Sequence, residues 1–80
     1  MAPVITTVSA LGLGQVAVLR SVGGERAFRR RLLELGFVPG TELRLVRRVE
    51  VGDVLEVELR HSRVSMRISE ASVLGVEIGP

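Results

Sequence analysis

The sequence predicts a small, mainly β domain in which five short strands roll into a partly open barrel, with one α-helix between strands 1 and 2 and a short helical turn before the last strand. Three observations predict it. From Glu42 onward apolar and polar residues alternate with period two. Only Glu25 to Leu35 keeps a clear helical period. Turns rich in glycine, proline, aspartate or serine separate the runs.

Residues 1–7 read as a loose leader with neither the basic start nor the apolar core of a signal peptide, and residues 8–80 as one domain. Val8 to Gly14 reads as a single helical turn started by Ser9 and stopped by glycine. Gln15 to Arg20 alternates around Val16 and Val18 as the first strand, ended by Val22-Gly23-Gly24. In the helix, Phe28, Leu32 and Leu35 stand at i, i+4 and i+7 and share a face, where burial stabilises by about 1.5–3 kcal/mol per side chain. Glu25 in the first turn suits the helix dipole and precedes Arg29 by four residues, the favoured order for an ion pair. Gly36 follows as a left-handed stop. In the turn Val38-Pro39-Gly40-Thr41, Pro39 presets φ and Gly40 supplies a positive one.

Leu43 and Leu45 then oppose Glu42 and Arg44, and Val46 before Arg47-Arg48 breaks the alternation, which predicts a bulge. Val51-Gly52-Asp53-Val54 reads as a hairpin turn carried by Gly52 and Asp53. Leu55, Val57 and Leu59 alternate with Glu56, Glu58 and Arg60, giving one dry and one wet face. His61-Ser62 makes a second tight turn, and Val64, Met66 and Ile68 alternate with Ser65 and Arg67. Ser69 to Ser72 reads as a helical turn capped by Ser69, and Gly75 to Ile78 as the last strand. The sum is the outline of a five-stranded SH3-like barrel.

Composition narrows the function classes. The chain has 80 residues, no cysteine and only two aromatic side chains, Phe28 and Phe37. That excludes thiolate zinc sites and disulfides and leaves an aliphatic core. The isoelectric point near 11 suggests nucleic acid. The net charge is only +2, however, because eleven arginines face nine carboxylates with no lysine or tyrosine to titrate between. The single His61 lies in a turn, and the Glu56/Glu58 row continues into Arg60 as a solvated face, so no catalytic constellation forms. The glycines follow neither a phosphate-loop nor a dinucleotide pattern, and no run reaches the roughly 20 apolar residues of a membrane span. A non-catalytic binding module without cofactor or metal is expected.

One stretch is more specific than its composition requires: Arg30-Arg31-Leu32-Leu33-Glu34-Leu35-Gly36-Phe37-Val38-Pro39-Gly40-Thr41. With Ser9-Ala10-Leu11, Gly14 and Val16 upstream, and Gly52-Asp53, Val64-Ser65-Met66-Arg67 and Glu70-Ala71 downstream, it resembles the FeoA family. The pattern departs from that family at Val54, where proline is frequent, and at His61-Ser62-Arg63, where a glycine is frequent. The resemblance implies an SH3-like cytoplasmic accessory of bacterial ferrous-iron uptake that contacts the cytoplasmic region of the membrane GTPase FeoB. It would lie at the inner face of the membrane only through that partner. The same module occurs at the C-terminus of iron-dependent repressors, whose DNA-binding helices have no room in this chain. An RNA-binding SH3-like module is the alternative that the arginines suggest. The few aromatic platforms speak against specific nucleic-acid binding.

The helix face turned away from Phe28, Leu32 and Leu35 carries the candidate contact. At about 100° per residue, Leu33 falls among Arg26, Arg29 and Arg30, an apolar anchor ringed by guanidinium groups that suits an acidic partner surface. The same leucine is equally expected as an ordinary exposed residue or one covered by the leader. Open edge strands would also allow a homo-oligomer.

Overall fold

The alternating runs assemble into one antiparallel sheet. In the computed structural model, which describes residues 2–79, the elements in chain order are β1 (Val4–Thr7), a 3-10 turn (Val8–Ala10), β2 (Val16–Val22), α1 (Arg26–Leu35), β3 (Glu42–Val49), β4 (Val54–Glu58), β5 (Arg63–Arg67), α2 (Ile68–Ala71) and β6 (Leu74–Ile78). The sheet order is β1-β6-β2-β3-β4-β5, so the last strand inserts between the first two and leaves β1 and β5 as edges. The sheet therefore has six strands where five are expected. The additional one is the leader itself: Val4 to Thr7 pair with Ile78 to Gly75. A four-residue run without a clear in-out pattern becomes a strand only because β6 offers it a free edge.

Leu19, Leu43, Leu45, Leu55, Val57 and Val76 fill the inner face of the sheet, joined by Val8, Leu11, Phe37, Ala71 and Leu74 from the turns, α2 and the start of β6. In β2 the phase is the opposite of that expected. Ala17 and Leu19 are buried, whereas Val16 is exposed and Val18 only half-buried. With apolar residues at 16 through 19, alternation does not select a face. Val22 extends the strand, and a register shift between Leu19 and Ser21 leaves Arg20 as the extra residue. The bulge in β3 lies at Val46, between the pairs Leu45–Val57 and Arg47–Glu56.

Local caps also differ from expectation. Thr7, not Ser9, precedes the 3-10 turn. Glu25 is the N-cap of α1 rather than a first-turn residue, and its side chain makes no cap bond. Arg67, not Ser69, precedes α2, and the Glu70 carboxylate accepts from the Arg67 amide at 2.8 Å, drawing Ile68 out of the strand and into the helix. The β3–β4 loop starts one residue earlier than expected, closed by the Asp53 amide on the Glu50 carbonyl. Gly52 and Asp53 both hold positive φ in it.

A groove between the helix and the Pro39 turn

Helix α1 ends in a Schellman arrangement, in which the Phe37 amide donates to the Leu32 carbonyl at 2.9 Å and the Gly36 amide to the Leu33 carbonyl at 3.1 Å. Gly36 takes φ +107° to permit it. The chain then enters the Val38–Thr41 turn, whose Gly40 has φ +97° and whose Thr41 amide returns to the Val38 carbonyl at 2.9 Å. The Gly40 amide donates to the Leu19 carbonyl at 2.7 Å, which docks the turn against β2. These contacts bring Pro39 and Val22 alongside the helix.

The helix presents two faces of unequal burial. Leu32 is 2% exposed and Phe28 is half-buried, but Leu35, expected to share their face, is 43% exposed. It occupies the last turn, where the chain is already departing through Gly36. On the far side, Arg26, Arg29, Arg30 and Leu33 stand at i, i+3, i+4 and i+7 and line a groove of about 460 Å³ with Val22 and Pro39. Leu33 is 48% exposed. The leader lies against β6 rather than over the helix. Sequence reasoning brings the four helical residues together but omits the opposite wall. Pro39 registers there only as a turn residue, and Val22 as the start of a loop. Gly52 and Asp53 sit in the β3–β4 loop, outside this groove.

Electrostatics separates this groove from the rest of the surface. Arg20 pairs with Glu77 at 2.8 Å, Arg31 with Glu70 at 3.1 Å, and Arg63 with Glu56 and Glu58. Arg31 also lies over the Phe28 ring, and Arg48 donates to the Leu11 carbonyl. Among the described residues, no carboxylate lies within ion-pair distance of the Arg26, Arg29 and Arg30 guanidinium groups, and no acceptor takes a hydrogen bond from them. A larger cleft of about 1170 Å³ opens between the start of β3 and the β4–β5 hairpin, but Glu42 and Glu58 line it together with Arg44, Arg60 and Arg63. Both signs of charge meet there, and its Arg63 is already satisfied by Glu58. The smaller groove differs in that no carboxylate lines it: its arginines stand beside the apolar Val22, Leu33 and Pro39 alone.

Comparison with known proteins agrees with this fold. The FeoA domain model matches residues 6–78. The chain is 37% identical to the FeoA protein of Chlorobium tepidum, whose solution structure superposes with a TM-score of 0.87 over 94% of this chain and 71% of that one. It is 43% identical to the Stenotrophomonas maltophilia FeoA crystallised with zinc, described as a prokaryotic SH3 domain protein, with a TM-score of 0.77 over 89% and 88% of the two chains. It is also 34% identical over 70 residues, 88% of its length, to a Fe(2+) transport protein A/Fe(2+) transporter FeoB fusion protein of Porphyromonas gingivalis, of which it spans 8%. With nearly the whole chain matched and the SH3-like sheet shared, this protein belongs to the FeoA domain family.

Proposed function

We propose that this chain is a non-catalytic accessory of ferrous-iron uptake that binds the cytoplasmic region of the transporter FeoB, with Arg26, Arg29, Arg30 and Leu33 making the contact. The observation that carries the reading is the Porphyromonas gingivalis relative, in which a FeoA part and a FeoB part share one polypeptide. Covalent linkage holds two modules at an effective concentration of about millimolar, so even a weak contact between them stays populated. Where no such linkage exists, the contact needs a surface with affinity of its own. The arginine-rimmed groove supplies apolar burial together with charge for orientation and encounter.

Co-purification of the tagged chain with the FeoB cytoplasmic region of the same genome tests the reading. The parent chain is expected to retain FeoB. Leu33→Glu is expected to weaken retention by roughly 30-fold, the scale of an interface anchor worth about 2 kcal/mol. Its melting should change little, since exposed substitutions stay within about 0.5 kcal/mol. A parent chain that does not retain FeoB, or a folded Leu33→Glu chain that retains it equally, overturns the corresponding part of the proposal.

A further inference from the structure

The charge pattern of α1 runs against its own stability. Its first turn holds no acidic residue and begins with Arg26, where the helix dipole favours negative charge. Arg26 and Arg30 form a like-charged i, i+4 pair, and Arg29 stands between them on the same face. Helices normally avoid each of these arrangements, and local rules are broken without internal compensation mainly at functional sites. Among the described residues no carboxylate lies within ion-pair distance of these three guanidinium groups, so the face is open to an anionic ligand.

The shape of the groove limits what that ligand is. Val22, Leu33 and Pro39 give it an apolar floor that a phosphate does not use, so an anionic headgroup alone leaves half of the site unfilled. A nucleic-acid strand lacks the aliphatic group to fill it, and Phe28, the nearest aromatic, is half-buried beneath the Arg31 guanidinium. A flat bilayer does not follow a concave site walled by the Pro39 turn. The groove is open to solvent, and its volume of about 460 Å³ has room for one side chain with its flanking residues left outside.

We infer that this groove is a receptor for a short acidic peptide segment, in which one aliphatic side chain seats between Val22, Leu33 and Pro39 while flanking carboxylates pair with Arg26, Arg29 and Arg30. The occupant rests on the partner-binding reading above: the segment belongs to the cytoplasmic region of the transporter. The arginine fork pairs bidentately with a carboxylate, so the site selects glutamate and aspartate by geometry as well as by charge.

The probe is a short synthetic peptide with glutamates on both sides of a single leucine, titrated into isotopically labelled protein and followed by NMR. Shifts are expected at the Val22 and Leu33 methyls and at the Nε–H groups of Arg26, Arg29 and Arg30. Replacing the peptide glutamates with glutamine, or its leucine with serine, should each weaken binding about tenfold, the scale of one lost charge-assisted contact or anchor. The triple variant Arg26→Gln/Arg29→Gln/Arg30→Gln should lose the peptide yet melt no lower than the parent, because it relieves the repulsion. The inference is overturned if millimolar peptide leaves these signals unmoved, if it shifts the cleft at Arg44 and Arg60 instead, or if the serine peptide binds equally. It is also overturned if phosphatidylglycerol vesicles occupy the groove and the peptide does not displace them. FeoB retention unaffected by saturating peptide removes this inference and leaves the accessory role standing. Peptide binding without FeoB retention removes the accessory role and the transporter as the source of the segment, and leaves the groove as an acidic-peptide receptor.

Discussion

At Gly36 a single backbone angle determines whether the helix can end and the chain turn back into the sheet. Its φ of +107° is strained for any L side chain, while an added Cβ would meet only the Leu59 Cδ1 methyl at 3.4 Å. Strain rather than collision therefore sets the cost. Gly36→Val is expected to lower stability by about 1–2 kcal/mol, with Gly36→Asn costing less because asparagine tolerates positive φ better. Urea melts of both variants check the order. Leu32 and Leu35 make a second comparison. Leu32 is buried and packs beneath the helix, so Leu32→Ala should cost about 2–5 kcal/mol through lost burial and a residual cavity. Leu35→Ala should stay within about 0.5 kcal/mol at its exposed site. Equal losses in the two variants would contradict this division of the helix.

Among the elements, β1 is the one whose status depends most on its neighbours. Val4 and Ile5 are largely exposed, and what holds the strand is its backbone ladder to β6. The ladder leads directly into Val8, which is fully buried. Removing residues 1–7 is expected to cost roughly 1–3 kcal/mol, a few hydrogen bonds at about 0.5–1.5 kcal/mol each less the entropy of ordering the segment. Thermal denaturation of the truncated chain checks it, and an unchanged melt would mean that the segment contributes no stability. Deletion should also bare the edge of β6 and increase self-association. Helix α1 has the contrasting design. It is anchored by Leu32 and Phe28, which leaves its arginine face exposed.

For the whole molecule, the pairing of β6 with both β1 and β2 brings distant parts of the chain together, and one ion pair sits on that join. Arg20, the extra residue of the β2 bulge, donates to Glu77 Oε2 at 2.8 Å. That hydrogen bond, aided by the arginine's charge and partly opposed by burial, holds the Glu77 carboxyl below its ordinary value of 4.5, while the Arg20 pKa moves up. Because the folded carboxyl is the stronger acid, its contribution to stability is complete above about pH 4.5 and is lost as pH falls through the depressed value. The difference in melting temperature between the parent and Glu77→Gln should therefore be small at neutral pH and close further in acid. Salt should reduce it as well, since the pair is solvent-exposed. A difference that widens on acidification would contradict the assignment.

The sequence by itself determined the elements whose signals are local. These are the alternation of Leu43, Leu45, Leu55, Val57 and Leu59, the bulge at Val46, the glycine stop at Gly36, the Pro39-Gly40 turn, and the four-residue stripe on α1. Each follows from steric or periodic rules that act within a few residues. Tertiary structure decided what depends on partners far away in the chain. It turned residues 4–7 into a strand, because β6 offered an edge. It chose Ala17 and Leu19 over Val16 and Val18, because an all-apolar run has no preferred face until the sheet is assembled. It also built the groove from three segments, setting Val22 at the end of β2 and Pro39 in its turn opposite the arginine stripe through the Gly40 to Leu19 hydrogen bond. A concave site requires walls that converge in space, and convergence across sixteen or more residues has no signature in local pattern, as the distance from Val22 to Pro39 in the chain illustrates.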